Sequence, residues 1–369
     1  MGHVLAAMPW ASERLGKQPS EIPQPYVSAP AAVKKQVQSF WERTPCDSWF
    51  ADGQPGTAAF YNSLDEHRYR VHPKLIAAVN FEKTRGLRVL EIGCGCGSEA
   101  ERFARAGAHY TAVDLTNAAV SLTQRRFRLA GLQGSFTQGD AENLPFADGA
   151  FDLVYSHGVL HHTPDTARTI REVYRVLSPS GRAVVMLYHR NSFNYEINLR
   201  VVRRLRAALL RTTAGFKLAQ RIWREPAIEL RRHADLIKQN PSAYLGMQNM
   251  LNRNTDGPDN PLSQVFSQKS ARQLFSQFHS VRTEIMFWNP NWLPGLGQLI
   301  PRSIEDKLAA RWGWHLWIYG QKSQWDARRM QMHRPPHIRE QVAAQTRVAW
   351  QREAPVASND PVTACLGSQ

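Results

Sequence analysis

The sequence predicts an α/β fold, a largely parallel sheet flanked by helices and broken by one helical insertion. Three observations predict it. Between Leu87 and Tyr188, five short apolar strands alternate with helical patterns, and such alternation implies βαβ units. A glycine-rich turn closes the first strand and opens a helix. The alternation stops after residue 190, then one helix and two strands follow between Ser270 and Gly320, bringing the strands to seven.

The elements read as follows. Residues 1–35 are rich in Pro, Ala and Ser and read as a loose arm. Residues 33–80 carry short helical patterns and many aromatics, among them Phe40, Trp41, Trp49, Phe60 and Tyr69, and predict a helical lead-in packed on the main domain. Arg88–Ile92 is the first strand, and Ser98–Ala108 its helix. Tyr110–Asp114 is the second strand, Asn117–Ala130 a helix, and Gly134–Gln138 the third strand. Phe151–Tyr155 is the fourth. Pro164–Leu177 reads as a helix with Thr163 as N-cap and Gly181 just past its end. Arg182–Leu187 is the fifth strand. A helix at Ser270–Phe278 and strands at Val281–Trp288 and His315–Gly320 complete the sheet. The 369 residues thus divide into an arm and lead-in (1–74), a core (75–190), a basic helical cap insertion (191–265), the completion of the core sheet (266–330) and a basic tail (331–369).

Composition bounds the function. Apolar residues are 43% and charged residues 21% of the chain, which excludes collagen-like, coiled-coil and wholly disordered classes. No apolar run approaches the ~20 residues that span a bilayer. The first twenty residues lack the charged start and apolar stretch of a secretory signal. Cys46, Cys94, Cys96 and Cys365 are too few and too badly spaced for a disulfide framework or a zinc site. The expectation is a cytoplasmic protein without a metal.

The segment Val89-Leu-Glu-Ile-Gly-Cys-Gly-Cys-Gly97 ends a strand and begins a helix. Glycines there let backbone approach a ligand, and the helix N-terminus favours a negative group. A dinucleotide fingerprint, G-x-G-x-x-G, would put its third glycine at Ser98. The observed pattern is E-x-G-x-G-x-G. Asp114 ends the second strand 17 residues past Gly97, where a carboxylate can accept from both hydroxyls of a ribose. Asp140, after the third strand, can accept from an exocyclic adenine amine.

With these three motifs in order and spacing, Val89–Tyr188 resembles the class I S-adenosylmethionine-dependent methyltransferases, specifically their type 11, small-molecule branch. The resemblance implies a Rossmann-like seven-stranded methyltransferase sheet and S-adenosyl-L-methionine as cofactor. It implies that Glu91 and the turn of Gly93, Gly95 and Gly97 hold the methionine end, that Asp114 and Leu115 hold the ribose, and that Asp140 and Ala141 flank the adenine. His157 matches a position lining the cofactor. Ser178-Pro-Ser-Gly181 departs from the family's usual Lys-Pro-Gly-Gly. The implied activity is methyl transfer to a small-molecule or lipid-like acceptor. An RNA-modifying methyltransferase and a catalytically silent cofactor-binding partner protein are the alternatives.

His157, His161, His162 and His189 fall near the ends of the fourth and fifth strands, where ligands bind in open α/β sheets. A histidine there can serve as a general base. The candidates for proton transfer are His161, His162 and Tyr188, although adjacent His161 and His162 cannot easily face one cavity. Cys94 and Cys96 read as loop fillers, Asp152 as a structural acid and Pro45-Cys46 as a helix boundary. Asn289-Pro-Asn-Trp292 lacks the second proline of an amino-methyltransferase box. The loop Asp256–Pro261 and the segment Trp314–Trp317 are placed at the mouth of the site, or in turn and core.

Lys and Arg number 46 against 31 Asp and Glu, a net +15. Residues 75–190 carry only +2, whereas 196–238 carry +7. Ile197, Val201, Val202, Leu205, Leu209 and Leu210 recur at helical spacing, so this segment reads as a basic amphipathic helix. A solvated cap face, peripheral contact with an anionic membrane and, less favoured, nucleic-acid binding compete as readings.

Overall fold

The computed structural model describes residues 30–293 and 295–324. Most of the arm and the whole of the 331–369 tail lie outside these residues. One compact unit ends at Ser323.

Seven strands form one sheet in the order β3-β2-β1-β4-β5-β7-β6. They are β1 (Arg88–Ile92), β2 (His109–Asp114), β3 (Ser135–Gln138), β4 (Phe151–His157), β5 (Leu177–Tyr188), β6 (Ser280–Met286) and β7 (His315–Gln321). The first five are parallel; β7 inserts antiparallel between β5 and β6. Chain order reverses between β1 and β4, and a crevice opens beyond the carboxyl ends of these strands. Each central strand is buried on both faces, so β1 and β4 read as near-continuous apolar runs. Two clusters fill the faces. One gathers Phe103, Tyr110, Phe127, Tyr155 and Trp317; the other gathers Leu90, Val154, Ile170, Val185 and Phe275.

The helices follow the sequence closely in the core. Helix Asn117–Ala130 starts at Thr116, whose hydroxyl accepts from Ala119 N, and stops at Gly131 in the left-handed region. Helix Thr166–Val176 differs from its expectation. Asp165, not Thr163, caps it by accepting from Arg168 N, and Thr163 instead donates to the Leu160 carbonyl. The chain turns straight into β5 at Leu177, so Gly181 lies within an irregular strand and not past a helix. Ser180 there has φ 61, a left-handed conformation that explains why glycine suits the position. A helix at Arg302–Trp312, which the sequence reading did not include, precedes β7.

The lead-in supplies helices Pro30–Arg43 and Ala58–Val71. Phe60, Tyr61 and Leu64 of the second pack against Cys96. The cap begins as a π-helix, Asn194–Val202, and continues as α-helices Arg203–Leu209, Thr213–Trp223, Ala227–Gln239, Pro241–Leu245 and Met247–Arg253. It has its own small core of Leu210, Ala219, Leu230, Ile237, Tyr244 and Met250.

The cap gives the amphipathic segment its direction. Leu210 is buried, whereas Ile197, Val201 and Leu205 form an outward stripe, with Leu205 61% exposed. The inward face buries Tyr195, Leu199 and Ala207 together with Asn194, Asn198 and Arg206, the last only 1% exposed. Arg206 pairs with Glu225 and donates to Asn254 Oδ1 at 2.6 Å. Burial lowers its pKa to about 10, which leaves it charged at neutral pH.

Candidate active site

A pocket opens at the reversal point, floored by the turn between β1 and its helix. Gly93 has φ 81, and a Cβ there would lie 2.2 Å from Val159 Cγ2. No side chain fits that approach. A Cβ at Gly95 would meet only Cys46, at 3.7 Å, so the turn leaves room above its backbone.

Asp114 follows β2 and faces the pocket. Its Oδ1 accepts from Thr116 N at 2.9 Å and Thr116 Oγ1 at 2.8 Å. Its Oδ2 has one long contact, 3.4 Å from Gly95 N, and keeps acceptor capacity toward the cavity. Burial raises its pKa, and the Thr116 and Gly95 hydrogen bonds oppose this. Leu115, Asp140 and Ala141 line the same wall. Asp140 Oδ1 accepts from Glu142 N at 2.9 Å, while its Oδ2 takes Lys34 Nζ at 2.6 Å. Lys34 comes from the first lead-in helix. The same helix sends Gln38 Nε2 to the Leu115 carbonyl at 3.0 Å and Glu42 to Asn117 N and Ala118 N.

Glu91 lies behind this surface and is absent from the pocket lining. It is buried and accepts from Tyr110 Oη. Burial, aided by the charge of Glu99, raises its pKa well above the usual range, against the Tyr110 bond.

The sequence reading missed a cluster at the other end. Arg68 forks onto Glu99 at 2.7 and 2.6 Å, reaches Asp47 at 2.5 Å and donates to His157 Nδ1 at 3.0 Å. His157 is therefore the neutral tautomer with its proton on Nε2. Burial and the Arg68 charge hold its pKa well below that of a free imidazole. A lone arginine in a helical lead-in carries no sequence signal; only the fold brings it to the turn.

His162 lines the pocket beside Trp41, edge to face at 5.3 Å. Its Nδ1 donates to the Leu262 carbonyl at 2.5 Å, so the free lone pair of the neutral ring sits on Nε2. That atom is 3.7 Å from Asp256 Oδ2. Asp256, on the cap loop, also accepts from Tyr188 Oη at 2.7 Å. Tyr188 thus stands one step behind the cavity, stacked between His161 and Trp314. His161 is fully buried, and neither ring nitrogen has a partner. His189 donates to the Gly313 carbonyl and serves the strand exit. Trp314 and Trp317 are core residues, not the mouth. Asp152 accepts from Arg88 and Ser178, which pull its pKa to about 2 and make it structural.

Residues 90–185 match a family described as a methyltransferase domain. Over 98 residues, 26% of this chain and 35% of the relative, the sequence is 47% identical to a phthiotriol/phenolphthiotriol dimycocerosates methyltransferase 1 of Mycobacterium ulcerans. Over 122 residues, 32% of this chain and 43% of the relative, it is 44% identical to a fatty-acid O-methyltransferase of Mycolicibacterium smegmatis. The matches span less than half the length of these curated relatives. The magnesium protoporphyrin IX methyltransferase of Synechocystis, solved with SAH, aligns over 79% of this chain and 100% of its own at 16% identity and a TM-score of 0.46. Residues 90–185 thus match a methyltransferase domain, set on the first five strands of the sheet.

Proposed function

We propose that the protein transfers a methyl group from S-adenosyl-L-methionine to a hydroxyl of a lipid-like acceptor. One observation carries the cofactor assignment. Asp114 and Asp140 stand along one wall above a glycine turn that no side chain obstructs. Asp114 Oδ2 has the free acceptor capacity a ribose diol needs. The backbone of Gly93 to Gly97 supports the methionine end, with Arg68, Asp47 and Glu99 offering both signs of charge to an amino acid zwitterion. Glu91 acts through the turn, as a buried support behind it. When bound, the cofactor supplies an electrophilic methyl on its sulfonium.

The remaining chemistry falls to the chain. Trp41, Val37 and Val159 give the pocket an apolar wall that suits an alkyl acceptor and excludes water. The relatives named for lipid acceptors agree with that wall. His162 Nε2 takes the proton that an acceptor hydroxyl loses, and Asp256 steadies the resulting imidazolium. Tyr188 holds Asp256 in place, and His161 holds Tyr188. Alignment and desolvation supply much of the acceleration. Cys46, Cys94 and Cys96 are free thiols, which suits the reducing cytoplasm.

Incubation of the protein with labelled methyl donor and fractionated extract tests the reading. Label is expected in the lipid fraction. Label confined to RNA, or no calorimetric binding of S-adenosylmethionine to the folded protein, overturns it.

A further inference from the structure

The cap is built with part of its apolar surface on the outside. Along Asn194–Leu209, positions 197, 201 and 205 form one stripe at i, i+4 and i+8, all exposed, while Arg206 is buried with Glu225 and Asn254. The next helix, Thr213–Trp223, packs against Arg203–Leu209 and repeats the pattern. Leu218 and Ile222 are exposed on it, alternating with exposed Lys217 and Arg221. Neither of these two cations has an ion-pair partner among the described residues. An ordinary cap helix turns its aliphatics inward and its arginines outward. Burying an arginine while exposing five aliphatic side chains needs a different environment outside, and such patches mark contact surfaces.

We propose that this outward face of the cap docks on an anionic lipid bilayer. Charge complementarity decides the occupant. The segment 196–238 carries +7; Arg206 is buried and Arg203 is paired with Glu225, so the face draws on the exposed cations, with Lys217 and Arg221 set beside aliphatics as interfacial helices set them. No helix among the described residues is long and apolar enough to cross a membrane, so the contact is peripheral. RNA would be met by cations and stacking aromatics; Val201, Leu205, Leu218 and Ile222 offer neither. Asp256, beside His162, comes from the same cap, so docking would hold the cap that contributes to the acceptor end at a membrane where a lipid acceptor resides. The proposal rests on the lipid-acceptor reading for this last point alone.

Flotation of the full chain with phosphatidylglycerol–phosphatidylcholine vesicles and with pure phosphatidylcholine vesicles tests it. The protein is expected to float with the first, and less so in high salt. Two exposed, unpaired sites make the controls. Val201→Ser with Leu205→Ser, and Lys217→Glu with Arg221→Glu, are each expected to reduce partitioning by about tenfold or more. Melting temperature and calorimetric cofactor binding should be unchanged in both. An unmutated protein that stays at the bottom of the gradient overturns the proposal, as do variants that float undiminished. So does a stripe occupied by a second copy, seen as a dimer in sedimentation that Val201→Ser with Leu205→Ser abolishes. Salt-sensitive retention on RNA without vesicle binding also refutes it. Methyl transfer to a detergent-dispersed acceptor separates the two ideas. Turnover there without vesicle binding sinks docking alone, and vesicle binding without turnover on any lipid sinks the acceptor reading alone.

Discussion

At the cofactor end of the pocket, the glycine turn and the ribose and adenine wall come from one stretch, Gly93 to Ala141, with several groups backbone, and the lead-in adds Asp47 and Arg68 at the methionine side. At the acceptor end the groups come from Trp41 in the lead-in, His162 after β4 and Asp256 in the cap. The first end is made by successive strand ends of a parallel sheet, which deliver sequence neighbours to one crevice. The second is assembled by segments laid over the sheet, so its members share no spacing. Chemistry should then be separable from cofactor affinity.

The largest test of that separation is His162→Gln. Loss of a positioned general base typically costs 10²–10⁴-fold. We expect a fall in kcat of about that size, with cofactor affinity from calorimetry unchanged. A parallel loss of cofactor binding would show that the two ends are one. Asp256→Asn should lower kcat as well, through the imidazolium it no longer steadies.

Acid should act on the fold beneath both ends. His72, His157 and His315 are in mutual contact, His157 also meets Arg68, His161 stacks on Tyr188, and burial holds all four well below the free imidazole pKa. Above about pH 6.5 these groups are neutral in both folded and unfolded chains. Below it the unfolded chain takes up protons that the folded one refuses. Stability therefore falls as pH drops below about 6.5, by up to about 1.4 kcal/mol per pH unit for each histidine. Denaturant melts from pH 7.5 to 5.5 check this; a flat profile would mean that the histidines are hydrated.

In the cap, Arg206→Met removes a buried guanidinium from Glu225, which keeps Arg203, and from Asn254, and should destabilise by roughly 1.5–3 kcal/mol, read as a lower denaturant midpoint. Cofactor affinity should stay constant if cap and cofactor end are independent. Asp114→Ala acts on the opposite region. A hydrogen bond to a charged group contributes roughly 1.5–3 kcal/mol, so S-adenosylmethionine should bind about ten- to a hundredfold more weakly. Little change would mean that the ribose is held elsewhere.

The same difference governs what the sequence makes legible. All seven strands, the glycine turn, Asp114 and Asp140 were legible because period, turn chemistry and spacing are local. The Thr163 cap failed because Asp165 also offers a capping oxygen, two residues later, and the helix starts there. Arg68 was invisible because its partners, Asp47, Glu99 and His157, come from three separate elements. The cap stripe was legible as a stripe but not as a direction. Periodicity reports that Val201 and Leu205 share a face; only the tertiary placement of Arg206 and Glu225 says which way the face points.

The first lead-in helix, Pro30–Arg43, bridges the two ends and yields the smallest expected effect. Lys34 binds Asp140 and Glu142 at the adenine wall, at 2.6 Å each, while Trp41 touches His162 two turns later. Burial lowers the Lys34 pKa, but the two carboxylates outweigh it and the net shift is upward, so the ammonium persists at neutral pH. A partly exposed pair of this kind contributes up to about 1 kcal/mol. Lys34→Ala should speed cofactor release by up to roughly fivefold, measured by stopped-flow displacement. Because Gln38 and Glu42 still tie the helix to Leu115 and Asn117, Trp41 should keep its place and single-turnover methyl transfer its rate. If single-turnover rate falls together with faster release, the helix moves as one body and couples the ends; if release alone changes, Lys34 belongs to the cofactor end and the division holds along this helix too.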